Sequence, residues 1–132
     1  MLTEKFKAAR RASVPIIAIT TPDAIATVAE LSTATNGKAT AKIQWDYARG
    51  FMALSDSAKT IVADLGDYEN NPFGCLIAAA KLPEKAVLFV HLANRWIVEP
   101  SFIQALSNLR DQFKVNGRTV VLLGPELTLP AE

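Results

Sequence analysis

Val14-Pro15-Ile16-Ile17-Ala18-Ile19-Thr20-Thr21-Pro22-Asp23 joins an unbroken apolar run directly to a helix start. The run Val14–Ile19 has no polar side chain, so it predicts a strand buried on both faces, with Pro15 near its start where a strand tolerates a missing N–H. Thr21 as N-cap, Pro22 at the first helical position and Asp23 beside the positive helix end predict that a helix begins at once. That helix carries Ile25, Val28 and Leu31 and is expected to stop at Asn36-Gly37, a suitable left-handed stop. A strand handing over to a helix with no spacer is the opening of a β-α unit, which makes an α/β sheet the first expectation for the rest of the chain.

Downstream, Lys38–Asp46 alternates strictly: Ala39, Ala41, Ile43 and Trp45 fall on one face, Thr40, Lys42, Gln44 and Asp46 on the other. This predicts a half-exposed strand at a sheet edge. From Tyr47 to Asn71 the pattern is weakest, and Phe51–Leu54 with Thr60–Leu65 fits either a hairpin or a short helix and a loop. Pro72 opens a helix carrying Phe73, Leu76, Ile77 and Ala80 that ends at Pro83. Ala86–Val90 is a second fully apolar run, hence a central strand. Phe102, Ile103, Leu106, Leu109 and Phe113 mark one face of the clearest helix, which Asn116-Gly117 stops. Thr119–Leu123 is a last buried strand, closed by Gly124-Pro125. At the N-terminus Leu2, Phe6 and Ala9 give a basic segment a thin apolar face, and a packed first helix is expected there rather than a membrane-surface one.

Strands alternating with helices predict a three-layer α/β fold: a mostly parallel sheet with helices on both faces. With the four predicted strands numbered in chain order, the expected sheet order is 1-4-3-2, which puts the Ala86 and Thr119 strands in the centre and the Lys38 strand at an edge.

The chain of 132 residues, half of them apolar and a fifth charged, is the length of one domain with enough material for a core. Fourteen Lys and Arg against thirteen Asp and Glu leave a net charge of +1, which argues against nucleic acid as the main partner. One cysteine, Cys75, and one histidine, His91, are too few soft ligands for a zinc site and allow no internal disulfide. No apolar stretch suits a signal peptide or a membrane span, so a cytoplasmic protein is expected.

In open α/β sheets ligands bind beyond the carboxyl ends of the strands. Four places qualify: Thr20–Asp23, Asp46–Gly50, His91–Trp96 and Gly124–Glu126. The first turn has neither the glycines nor the lysine that a phosphate loop needs to cradle phosphates and neutralise them. Gly37-Lys38 has Ala39 in place of the hydroxyl and lies between a helix end and a strand, which is the wrong context. What remains is the bare helix N-terminus at Thr21–Asp23, where an ordinary cap competes with a weak anion site that Asp23 would oppose. A magnesium site would want an acid after the Ala86 strand, and His91 stands there instead. There is no G-x-S-x-G elbow, and Cys75 reads as a small buried hydrophobe. Asp46 and Arg49 are spaced to form an ion pair across a turn, with Gly50 reversing the chain; they serve as a clamp or face a partner. Thr20, Thr21, Asp46, Arg49, His91, Asn94 and Arg95 are therefore the candidate ligand- or partner-binding residues. No catalytic or metal-binding set emerges.

The string Ala9-Arg10-Arg11-Ala12-Ser13-Val14-Pro15-Ile16-Ile17-Ala18-Ile19-Thr20-Thr21, the Trp45-Asp46-x-x-Arg49-Gly50 segment, Asn71-Pro72, Lys85–Leu92 and the Asn116-Gly117-Arg118-Thr119 turn running on to Leu127-x-Leu129-Pro130 occur in a familiar order. Together they resemble the N-terminal region of a group of AAA-family ATPases of phages, bacteria and plastids. The resemblance implies a RecA-like α/β domain with a degenerate phosphate loop, 1–132, set before a module that carries the Walker motifs. ATP and magnesium would belong to that parent ATPase, and this chain would hold no cofactor of its own. This chain stops at Glu132, where such proteins continue into another strand and then the ATPase module, so it is expected not to hydrolyse ATP.

The expected function is accordingly a non-catalytic N-terminal domain serving assembly, regulation or engagement of a partner or substrate. The competing expectation is a small-molecule or nucleotide-binding domain that uses the strand ends without a phosphate loop. The expected partners are proteins or further copies of the chain, since the Val14–Ile19 strand ends the predicted sheet with an edge that no lysine or arginine protects.

Overall fold

The computed structural model describes residues 2–35 and 40–127. Five strands form one sheet: β1 (Ile16–Thr20), β2 (Lys42–Asp46), β3 (Gly50–Ala53), β4 (Val87–Val90) and β5 (Thr119–Gly124). Their order is β1-β5-β4-β2-β3, with β3 antiparallel to β2 and every other pairing parallel. The helices are α1 (Leu2–Arg11), α2 (Ala24–Ala34), α3 (Lys59–Leu65), α4 (Pro72–Ala79) and α5 (Pro100–Val115).

The sheet separates two cores. On one face Phe6 of α1 and Val28 and Leu31 of α2 pack on Ile19, Val87, Phe89, Val121 and Leu123. On the other, α4 and α5 cover Ile43, Trp45, Leu88, Val90, Val120 and Leu122, with Ile61, Val62 and Leu65 of α3 at the margin. The residues that alternate along β4 and β5 therefore serve opposite cores. That is why these strands read as continuous apolar runs and why both are buried throughout.

The expected order 1-4-3-2 is corrected by the fifth strand. The Phe51 segment, left open by its weak pattern, pairs with β2 in register Trp45↔Phe51 and Asp46↔Gly50. β2, the Lys42–Asp46 part of the predicted Lys38–Asp46 strand, thus lies between β4 and β3 and not at an edge, while Lys38 and Ala39 lie outside the described residues. Its alternation reports one poorly covered face; periodicity along a strand carries no information about whether its flanks are paired. Thr60–Leu65 falls in α3, preceded by a short 3-10 turn, Asp56–Ala58.

β1 brings the second correction. Ile16 touches one core and Ile17 and Ile19 the other, as its apolar sequence implies. β1 stands at the sheet edge, as the expected order has it, but of its residues only Ile19 is buried, where burial on both faces was expected. A third correction concerns α2: Asp23, not Thr21, is its N-cap, accepting from the Ala26 N–H at 3.1 Å, so Pro22 lies outside the helix. The predicted stop at Asn36-Gly37 lies outside the described residues, and the helix closes at Thr35, whose N–H returns to Leu31 O. α4 ends at Ala79, before the expected limit at Pro83.

Two arginines tie the loops that feed the central strands. Arg118 is buried and donates to Ala80 O, Leu82 O, Gln112 O and Asn116 Oδ1 at 2.7–3.2 Å, with its guanidinium 4.5 Å from the centre of the Phe113 ring. One planar fork thereby satisfies carbonyls at the ends of both α4 and α5. Arg10, in the last turn of α1, donates to Lys85 O, Gly117 O and Thr119 Oγ1 and so ties that helix to the chain entering β4 and β5.

Candidate functional site

β1, β5, β4 and β2 run parallel, so their carboxyl ends meet along one rim of the sheet, where an α/β protein holds its ligand. At the end of β1 the polar groups are spent on one another. The Thr21 N–H donates to Gly124 O, its hydroxyl shares a hydrogen with Thr27 Oγ1 at 2.9 Å, and the Asp23 N–H donates to Thr21 Oγ1. The free N–H groups of the first turn of α2, which would attract an anion, have the Asp23 carboxylate at their cap. Thr20 is exposed and donates to Leu127 O at 3.4 Å.

At the ends of β2 and β4 three of the predicted residues do come together. Asp46 and Arg49 close the β2–β3 turn: Asp46 Oδ1 accepts the Arg49 N–H at 2.6 Å, and Oδ2 accepts from Nε and Nη2, both at 2.7 Å. Gly50 follows at φ +76, its Cα pressed on the Asp67 main chain so closely that a Cβ would overlap the Asp67 carbonyl. His91 is the residue after β4; its N–H donates to Trp45 O, and its Nε2–H donates to Gln44 Oε1 at 2.8 Å.

The electrostatics follow from this packing. Burial lowers the His91 pKa below the ordinary histidine value; Asp46 pulls it back up and Arg49 lowers it further, so the ring is neutral near pH 7. Burial alone would raise Asp46, but the Arg49 N–H and guanidinium, with a smaller contribution from His91, hold its carboxyl below the usual range. Asp46 is thus held as an anion by its bonds to Arg49. Cys75 is fully buried in α4, and burial pushes its thiol pKa well up, which leaves it inert. Among the described residues no group of His, Cys, Asp and Glu could hold a metal ion.

Asn94 and Arg95 lie in a 3-10 turn, Ala93–Arg95, entered through Leu92 in the left-handed conformation at φ 51. Arg95 is exposed and meets none of the other predicted residues in any described contact. Asn94 reaches across to β5: a Cβ on Gly124 would sit 2.6 Å from Asn94 Oδ1, so this crossing needs a residue without one. Asn94 Oδ1 and Trp96 Nε1 are both buried without a partner.

Sequence reasoning missed Gln44 and the stacking of Tyr47 on Trp96, with ring centres 4.9 Å apart and planes 15° from parallel. Gln44 was legible in principle: it shares the polar face of β2 with Asp46, and Trp45 is in register with Val90, which places Gln44 diagonal to His91. The Tyr47–Trp96 pair joins two loops and has no signature in either. Tyr47 remains exposed, with Leu92 and Val98 also open to solvent. No helix among the described residues is long and apolar enough to cross a membrane.

Away from this rim, a groove of about 670 Å³ opens between the last turns of α1 and α2 and the loops entering β4 and β5. Lys7, Arg10, Arg11 and Lys85 line it, and the Arg10 guanidinium is already bonded to main-chain and hydroxyl oxygens.

The family model for the N-terminal domain of SpoVK-like AAA ATPases matches residues 2–132. Comparison with curated proteins and with solved structures brings no match. A mostly parallel sheet covered on both faces, and a match over nearly the whole chain, lead to one assignment: the chain belongs to the SpoVK-like AAA ATPase N-terminal domain family.

Proposed function

We propose that this domain is a degenerate RecA-like module that neither binds nor hydrolyses nucleotide, and that serves its AAA ATPase in assembly, regulation or the engagement of a protein partner. One observation carries the reading. The rim that would receive a nucleotide is built from side chains already bonded to each other: Thr21 with Thr27, Asp23 on its own helix, His91 with Gln44, and Asp46 with Arg49. A phosphate arriving there would meet no glycine-rich main chain and no lysine, and would have to displace carboxylates. ATP and magnesium belong to the parent ATPase, the partners are proteins or further copies, and a cytoplasmic setting suits such a module. Incubated with ATP and magnesium, the chain is expected to release no phosphate above background. Magnesium-dependent release that Thr21→Ala or His91→Ala abolishes would contradict the reading.

A second reading, a small-molecule domain that uses the same rim, draws on the unpartnered Asn94 Oδ1 and Trp96 Nε1. These are one acceptor and one donor of the kind that a buried ligand or an ordered water satisfies. Protection of the Trp96 indole N–H from exchange by an added metabolite would favour this alternative.

A further inference from the structure

We infer that the basic groove at the amino ends of the parallel strands is a docking site for an acidic segment of a protein partner, held through its carboxylates. The inference rests on the reading of this domain as a protein-engaging module and names the surface and the chemistry of what it engages.

The groove lies at the end of the sheet opposite the rim. The last turns of α1 and α2 border it, and so do Ser13, Lys85 and Gly117, which lead into β1, β4 and β5. Its volume of about 670 Å³ is that of a ligand cleft. Its charge is one-sided. The whole chain has a net charge of only +1, yet Lys7, Arg10, Arg11 and Lys85 all line this groove, and among the described residues no Asp or Glu does. The stretch Asn36-Gly37-Lys38-Ala39, between the lining residues Thr35 and Thr40, contains no acid either. A cleft lined by one sign of charge focuses its field on whatever enters.

Two observations set this cluster apart from ordinary surface charge. Arg10 is spent on the fold, bonded to Lys85 O, Gly117 O and Thr119 Oγ1. Lys7, Arg11 and Lys85 are exposed, and among the described residues none of their side chains has a hydrogen bond or an ion pair. The second observation is the backbone of the groove. Ser13, Lys85 and Gly117 are all left-handed, at φ 57, 64 and 68, and a Cβ on Gly117 would meet Lys85 Cγ and Ser13 Oγ first. Glycine adopts that conformation freely, whereas a lysine there is strained, and strained residues gather at ligand clamps.

The rest of the lining selects carboxylates over phosphate. Both helices turn their carboxyl ends to the groove, with Arg11 closing α1 and Ala34 and Thr35 closing α2. Such ends carry partial negative charge and present carbonyls, so a compact phosphate meets no cradle of N–H groups. The free cations stand instead on separate long side chains, from α1 and from the chain entering β4, which suits single charges spaced along a peptide. Four cations also neutralise few phosphates, which disfavours nucleic acid. Exposed ion pairs are individually weak and screened by salt, so the affinity is expected to be modest and salt-dependent.

Fluorescence anisotropy of a labelled peptide of alternating Glu and Ala, titrated with the full chain at low and at physiological salt, tests this. The expected result is saturable binding that salt weakens, with the amide resonances of Ser13, Thr35 and Gly117 shifting on addition of peptide. Lys7→Glu with Arg11→Glu should weaken binding about tenfold. Lys59→Glu with Lys114→Glu makes the same charge change on the exposed surfaces of α3 and α5 and should leave affinity nearly unchanged. Lys85→Gly guards against a variant that merely fails to fold. It removes a cation while relieving the left-handed strain, so its denaturation midpoint should hold or rise as its affinity falls. Absence of saturable binding at low salt would overturn the inference. So would equal weakening by the two double variants, or a Lys85→Gly chain that loses stability and keeps its affinity. Tighter binding of tripolyphosphate or of oligouridylate than of the peptide would also overturn it, since phosphate would then be the preferred group. None of these variants touches Thr21 or His91, so failure here leaves the rim's reading to its own nucleotide test.

Discussion

Arg118 holds main-chain carbonyls that no other described donor reaches, and it shows what the motif strings of this chain are for. Arg10, Asp46, Arg49, Asn71 and Arg118 all stand in those strings, and each ties a turn or caps a helix. Arg118→Ala strands several buried acceptors at once and is expected to cost about 2–4 kcal/mol in urea denaturation. Arg118→Lys keeps the charge but not the planar fork, so it should recover only part of that loss. His91 and Asp46 set the acid response. The folded pKa of His91 lies below its unfolded value near 6.5, so the unfolded state takes up the proton first and stability falls as pH drops through about 6.5. The folded pKa of Asp46 is also depressed, so its contribution is present above about pH 4 and is lost below that. Denaturation midpoints should therefore fall between pH 7.5 and 5.5, and His91→Gln should flatten that interval while leaving the decline below pH 4 in place. The sequence pointed to the Asp46–Arg49 pair through its spacing and its following glycine, whereas the Gln44 contact became visible only with the strand register.

At the scale of elements, hydrophobic pattern located β4, β5 and α5 because each is covered on the side or sides that its apolar residues announce. It set β1 at an edge as found but overstated its burial, and it misjudged the flanks of β2. Periodicity reports what lies above and below a strand, and a strand's flanks are settled by which other segments pair with it. β3 was missed because it is four residues long and only Gly50 and Phe51 of it are buried, too little for an alternation to show. Its place depends on Gly50, where positive φ and the Asp67 main chain leave no room for a side chain. Gly50→Ala is expected to destabilise the domain by about 2 kcal/mol or more. It should also loosen the Asp67–Asn70 segment, seen as faster exchange of the Phe51 amide.

At the scale of the whole molecule, the two cores need both faces of the sheet covered, and the described helices do that without leaving a phosphate loop at the rim. The sheet keeps the layered α/β plan, and among the described residues no glycine-rich loop with a lysine lies at its rim. That absence was legible directly in the sequence, since a missing glycine loop and a histidine in place of an acid need no coordinates. What the sequence could not give is the mutual bonding of the rim residues, because Thr21 and Thr27, and His91 and Gln44, meet only through the turn of a helix and the register of two strands. Calorimetric titration of the chain with ATP and with ADP, each with and without magnesium, tests the account most directly. It predicts no saturable heat up to millimolar nucleotide. Micromolar binding that is lost on Thr21→Ala or His91→Ala would contradict it.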